Sequence, residues 1–190
     1  MDDAPLARID WPVRTERLNL RLATADDVEA AWEFRRLPEV SQWMTGAPAR
    51  FEVFAELFRD PASLAKTLIV EHEGRVIGDT MIEVVDAWAQ REVREQAVGV
   101  QAELGWVISP DHAGQGFGTE AARALLRICF EGLGLRRVTA NCFAANEPSW
   151  RLMESIGMRR EAHNVRDSLH RSGDWMDGFT YALLAEDWSP

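Results

Sequence analysis

The chain predicts an α+β fold, with one mixed, mostly antiparallel sheet of seven strands and several amphipathic helices. Three observations carry this. Seven apolar or alternating runs of strand length recur, at 17–22, 67–72, 76–85, 98–109, 136–143, 158–168 and 176–185. Helical periodicity fills about 24–34, 51–59, 119–132 and 146–156. Strands fall on both sides of the helices in chain order, which gives a mixed sheet rather than a purely parallel one.

Each element has a local reason. Arg17 to Leu22 alternates as a first strand, and Thr24 with Asp26 and Asp27 starts a helix carrying Val28, Ala31, Trp32 and Phe34. Gly46 and Pro48 mark a loop over 42–50, and a second amphipathic helix runs from Phe51 to Arg59. Glu73-Gly74-Arg75 turns a hairpin between the next two strands. Residues 87–97 are polar and too many for a simple hairpin loop, so they form an excursion. Leu104, Trp106, Val107 and Ile108 supply a buried strand that Pro110 ends, and a helix opens near Thr119. Asn146 is a candidate cap, Pro148 sits in the first turn of its helix, and Gly157 stops it. Ser172-Gly173-Asp174 joins the last two strands. No linker composition divides the chain, so a single domain over residues 1–190, with its core at about 15–188, is expected.

Composition narrows the class. A chain of 190 residues is long enough to bury a proper core. No run reaches the roughly 18 apolar residues of a membrane span, and the acidic start Met1-Asp2-Asp3 lacks a targeting pattern; we expect no membrane partner and a cytoplasmic protein. Two cysteines, Cys129 and Cys142, lie in apolar stretches and read as free thiols. The four histidines show no ligand spacing, so no metal is expected. A net charge of −10 argues against nucleic acid, which selects basic surfaces, and is compatible with attracting a cationic amine or simply with solubility. Trp32, Trp106 and Trp188 fall in apolar patterns, whereas Trp43, Trp88, Trp150 and Trp175 lie near loops where they can line a pocket.

The stretch with most chemical content runs from Glu103 through Thr119. A buried strand is followed by Gly114, Gly116 and Gly118, then by a helix start. Glycines let the backbone turn several N–H groups one way, and the helix N-terminus adds unpaired donors and a partial positive charge, so a pyrophosphate can be cradled there. Two familiar phosphate loops are excluded. A P-loop ends in Gly-Lys-Ser/Thr, and no lysine precedes Thr119; a dinucleotide fingerprint is G-x-G-x-x-G, and this spacing is G-x-G-x-G.

Ala113-Gly-Gln-Gly116-Phe-Gly118 resembles the acyl-coenzyme A loop of the GNAT superfamily of N-acetyltransferases, Q/R-x-x-G-x-G/A, with Ala113 in place of the usual Gln or Arg. Asn146-Glu-Pro-Ser149 through Gly157-Met158 resembles a second block of that superfamily. With Thr119-Glu120-Ala121, the two blocks are similar to the branch containing the ribosomal-protein N-terminal acetyltransferases. The resemblance implies helices on both faces of the sheet, splayed central strands, and acetyl-CoA as co-substrate. It implies cofactor contacts from Val107, Ile108, Ala113, Gly114, Gln115, Gly116, Phe117, Gly118 and Thr119. Asn146 is either a bond to the pantetheine amide or a plain helix cap. Family members are often dimers, so a homodimer is a candidate state.

Direct attack by an amine needs a base for the amine, a donor for the oxyanion and a proton for the departing thiolate. Glu103, on the strand before the loop, is the first candidate base or a solvated strand carboxylate. Glu161 matches an acidic position of the ribosomal-protein branch beside substrate, or is an ordinary strand charge. Many members use a tyrosine late in the helix after Asn146; Met153 stands there, Tyr181 reads as core or rim, and Ser149 takes the proton-donor role by resemblance. Its alternative is a first-turn serine bonded to backbone. The acceptor implied is a protein N-terminus or a small amine such as an aminoglycoside or polyamine. The competing reading is an acyl-CoA-binding regulatory module of the same fold without turnover.

Overall fold

A computed structural model describes residues 4–189; Met1 to Asp3 and Pro190 lie outside the described residues. The strands are β1 (Val13–Arg14), β2 (Leu18–Leu22), β3 (Thr67–His72), β4 (Arg75–Val85), β5 (Gln101–Ile108), β6 (Arg137–Phe143), β7 (Arg159–Leu169) and β8 (Trp175–Leu184). They form one sheet in the order β1-β2-β3-β4-β5-β6-β8-β7. The helices are α1 (Val28–Arg35), α2 (Pro38–Ser41), α3 (Phe51–Arg59), α4 (Pro61–Leu64), α5 (Phe117–Arg127) and α6 (Glu147–Ser155).

The sheet therefore has eight strands, not the seven expected. The extra one is β1, whose two residues pair antiparallel with β2, Val13 against Leu20 and Arg14 against Asn19. Two residues carry no alternation, so nothing in the sequence marks them as a strand. The mixed, mostly antiparallel character holds: β5 and β6 pair parallel, whereas β2–β3, β3–β4, β6–β8 and β7–β8 pair antiparallel.

The chain divides into two compact units, Met1–Met81 with Gly105–Ala124, and Ile82–Leu104 with Leu125–Pro190. In the first, Val28, Ala31, Phe34, Phe54, Ala55 and Val107 form a buried cluster, with Trp32, Phe51 and Phe58 packed on it. Trp32 meets Phe54 at 5.2 Å between ring centroids. The acidic entry to α1 works as expected: the Asp27 carboxylate accepts from the Thr24 N–H at 2.7 Å and the Thr24 hydroxyl at 2.9 Å. It is also gripped by the Arg21 guanidinium at 2.6 and 2.8 Å. The β3–β4 hairpin closes through Glu73 and Gly74, both at positive φ (50° and 75°), as a tight two-residue turn requires.

In the second unit the core is Val138, Ala140, Met153, Tyr181, Leu183, Cys129 and their buried neighbours. The 87–97 excursion contains a 3₁₀ segment, Arg91–Ala97, and is closed by the Ala87 N–H donating to the Ala97 carbonyl. Helix α5 passes into one π-helical stretch, Ile128–Gly132. On β7 the register against β8 shifts between Asn164 and Ser168, where Arg166 adopts a positive φ of 50°. Both cysteines are free, Cys129 buried and Cys142 half-buried. Among the described residues no helix is long and apolar enough to cross a membrane, and no cluster of metal-ligating side chains occurs.

Candidate active site

The glycine loop lies wholly in the first unit. Strand β5 ends at Ile108, Pro110–His112 make one 3₁₀ turn, and Gly114 and Gly116 follow at φ of 72° and 82°. A Cβ at Gly114 would meet nothing within 4 Å, so glycine is required there by conformation, not by space. Helix α5 opens at Phe117, two residues before the expected start, so Gly118 stands in its first turn instead of the loop. The Glu120 N–H closes on the Gly116 carbonyl at 3.0 Å. Phe117 is 3% exposed and anchors the helix start against His72, at 4.6 Å between centroids. This gives an eleven-residue helix whose N-terminus follows directly on two left-handed glycines.

Val107 and Ile108 are held against β4. The Ser109 N–H donates to the Ile77 carbonyl at 2.7 Å. A Cβ at Gly78 would overlap the Val107 carbonyl oxygen and lie 2.9 Å from Ile108 Cδ1. Gly78 is thus needed for close approach of backbone to backbone, which no motif in the sequence announced.

Five contacts near the loop were not anticipated. Arg17 donates through Nε to Glu120 Oε2 at 2.7 Å, through its backbone N–H to Glu120 Oε1 at 2.9 Å, and through Nη1 to the Gln115 carbonyl at 2.9 Å. Its guanidinium lies 4.4 Å from the centre of the Phe117 ring. The Thr15 hydroxyl donates to the same Glu120 oxygen as the Arg17 N–H. Burial alone would raise the Glu120 pKa, but these hydrogen bonds outweigh it and leave the carboxyl below its ordinary value. Arg17 and Glu120 are 103 residues apart, so no local spacing could have paired them.

The remaining candidates lie in the second unit. Glu103 is half-buried on β5, in register with Thr139 of β6. Among the described residues its carboxylate has no hydrogen-bond or ion-pair partner. The parallel β5–β6 ladder ends at this point: it joins Gln101, Ala102 and Glu103 to Arg137, Val138 and Thr139, although β6 continues to Phe143.

Glu161 is differently placed. It is held by Arg137, and by Arg159 at 3.0 Å. The hydrogen bond from Arg137 chiefly, helped by Arg159, holds its pKa down to about 2 against the opposing effect of burial. A carboxylate so engaged is a weak proton acceptor.

Asn146 precedes α6 but makes no side-chain cap; its backbone carbonyl alone accepts from the Ser149 N–H at 3.2 Å. Its amide side chain is therefore not consumed by the helix. The Ser149 hydroxyl lies near the Cys142 thiol, whose pKa burial pushes up to about 11 against smaller opposing effects of Ser149 and Arg160. Because Cys142 lies three residues beyond Thr139 on β6, strand alternation sends Glu103 and the Cys142–Ser149 pair to opposite faces of the sheet. They cannot pass one proton between them.

Met153 is core, 1% exposed. Tyr181 is buried, and its hydroxyl donates to Glu154 at 2.7 Å and accepts from Arg160 at 2.7 Å, so it is committed to structure. Of the loop tryptophans, Trp88 is 91% exposed, whereas Trp150 is half-buried and bonded to the Ala144 carbonyl at 3.2 Å.

A strand, a left-handed glycine turn, a helix N-terminus and a parallel ladder that stops early define an acyl-transferase type of fold. A family model for the GNAT acetyltransferase domain matches residues 17–159. The chain is similar to the uncharacterized N-acetyltransferase p20 of Bacillus licheniformis, 27% identical over 92% of this chain and 97% of that protein. It is 39% identical to the uncharacterized N-acetyltransferase YnaD of Bacillus subtilis over 46% of this chain, and the match spans about half of that protein's length (51%). YdaF of the same organism, provisionally named a ribosomal N-acetyltransferase, is 36% identical over 48% of this chain and 49% of its own length. Among solved structures, a GNAT-family acetyltransferase from Bacillus anthracis superposes with a TM-score of 0.78, at 29% identity, over 92% of this chain and 99% of that one. The chain belongs to the GNAT acetyltransferase family.

Proposed function

We propose that the whole chain acts as one acetyl-CoA-dependent N-acetyltransferase domain, moving an acetyl group to a primary amine by direct attack on the thioester, in the cytoplasm. The observation that supports this best is the pair of left-handed glycines opening directly into the α5 N-terminus. Main-chain donors there suit a diphosphate, whose charges the helix end also favours. Residues 113–119 are the assigned anion loop, and the backbone of Val107 and Ile108 the assigned seat of the pantetheine arm. An N–H donor to the thioester oxygen in such a position is worth about 2.7–4 kcal/mol in acyl transfer.

Glu103 is the assigned base, because its carboxylate is unpartnered and half-buried while Glu161 is neutralised by two arginines. By resemblance, we assign Ser149 the proton or hydrogen bond given to the departing thiolate, and Asn146 a bond to the pantetheine amide. The acceptor that suits a single carboxylate best is a protein N-terminus. An α-amino group, with a reference pKa of about 7.7–8.0, is partly neutral near pH 7, whereas a lysine at about 10.4 is almost wholly charged. The provisional name of YdaF supports the same acceptor, and its match covers 49% of that protein.

The test is thiol release from acetyl-CoA across a panel of amines: alanyl- and seryl-ended peptides, a polyamine and an aminoglycoside. Amine-dependent release that collapses in Glu103→Gln supports the proposal. Tight coenzyme binding without release anywhere on the panel would make the protein a silent acyl-CoA-binding module instead.

A further inference from the structure

We propose that Arg17 is a positioning residue for the anion loop: it fixes the Gln115–Gly116 peptide so that the Gly116 N–H is presented to the coenzyme's diphosphate. The proposal rests on the acetyl-CoA reading above and names the residue that makes its loop competent.

A trans peptide holds its C=O and N–H on opposite sides of one plane. The Gln115 carbonyl is bound by Arg17 Nη1 at 2.9 Å, so the Gly116 N–H is directed away from the guanidinium. Gly116, at φ of 82°, then carries the chain into α5. The fit is close: a Cβ at Gly116 would stand 3.4 Å from Arg17 Nη2. Left unbound, the Gln115 carbonyl would be free to point its negative end toward the anion, as glycine-flanked peptides flip readily.

Arg17 performs a second service with the same guanidinium. Glu120 is an anion in the first turn of α5, where a bound diphosphate would feel its repulsion. Oε1 is taken by the Arg17 N–H at 2.9 Å, and Oε2 by the Arg17 side chain at 2.7 Å, so the carboxylate is turned back and paired. The guanidinium is itself laid on the Phe117 ring, the first residue of the helix. Carbonyl, carboxylate and ring thus set Arg17 from three directions. Lysine cannot reproduce a planar fork that spans both a carbonyl and a carboxylate.

The experiment uses full-length Arg17→Ala, Arg17→Lys and Glu120→Ala, with coenzyme A affinity by calorimetry and kinetics on two thioesters. Acetyl-CoA carries the diphosphate; acetyl-pantetheine lacks it. Arg17→Ala is expected to weaken coenzyme A binding and raise the KM for acetyl-CoA roughly tenfold, as loss of charge-assisted hydrogen bonds does. The amine KM, and kcat/KM on acetyl-pantetheine, stay at the wild-type level. Arg17→Lys recovers part of the loss, and the double variant with Glu120→Ala is no worse than Arg17→Ala alone. Equal losses on both thioesters would show a general structural role, and an unchanged KM for acetyl-CoA would show none; either overturns the proposal. If Arg17→Ala does not fold, the same two-thioester comparison is read on Arg17→Lys. Failure of the wild-type protein to bind coenzyme A overturns the underlying reading instead, before any variant is compared.

Discussion

At the scale of single residues, the two carboxylates that looked alike in the sequence are separated by their partners. Glu103 has no partner among the described residues, whereas Glu161 is clamped by Arg137 and Arg159. Glu103→Gln is therefore expected to lower kcat/KM by about 10²-fold or more, the usual size of a general-base contribution, with the melting temperature unmoved. Glu161→Gln is expected to do the reverse, sparing the rate and changing acid stability. A carboxyl depressed from 4.5 to about 2 in the folded state gives stability that is complete above pH 4.5 and is lost as pH falls toward 2. Urea titrations between pH 5 and 2 should show a flatter decline for the Gln variant; identical slopes would mean that the ion pair contributes nothing. Strand position set Glu103 beside the chemistry, and resemblance set Glu161 there; sequence reading named both. It had no means of showing Arg137 against Glu161, because the two lie 24 residues apart on different strands.

At the scale of elements, local patterns located most of the frame. The helix from Phe51 to Arg59 and the two-residue hairpin at Glu73 and Gly74 emerge where periodicity and turn chemistry put them. Two features escaped for physical reasons. Strand β1 is too short to alternate, and α5 begins inside the glycine motif because Gly118, unlike Gly114 and Gly116, is not at positive φ and stands in the first helical turn. The close contact at Gly78 was also invisible, since it joins residues about thirty positions apart through backbone atoms. Gly78→Ala should destabilise by about 1–3 kcal/mol, as overfilling of a tight site does, because its new methyl would overlap the Val107 carbonyl. Chemical denaturation measures this. Gly114→Ala should behave differently, weakening coenzyme binding through its positive φ with no clash, which calorimetry against coenzyme A would reveal.

At the scale of the whole molecule, charge and thiol chemistry give the readable consequences. With 31 acidic and 21 basic residues, the protein attracts cations at a distance. Turnover of a multiply charged amine should fall as salt rises from about 0.01 M to 0.15 M, over which the screening length shortens from about 30 to 8 Å. A neutral acceptor should show no such slope. Burial pushes the Cys129 thiol up to about 12, so thiol reagents should label it only after denaturation.

The irregular strand β7 bears on how the molecule lives among copies of itself. An outermost strand ordinarily offers a row of vacant amides and carbonyls on which another chain can build. Here the shifted register between Asn164 and Ser168, with Arg166 bent to the left-handed side, breaks that row in the middle, and the charged run Arg159, Arg160 and Glu161 opens the strand. Fibrous stacking is thereby discouraged at the border of the sheet, and self-association, if it is used, falls to side chains.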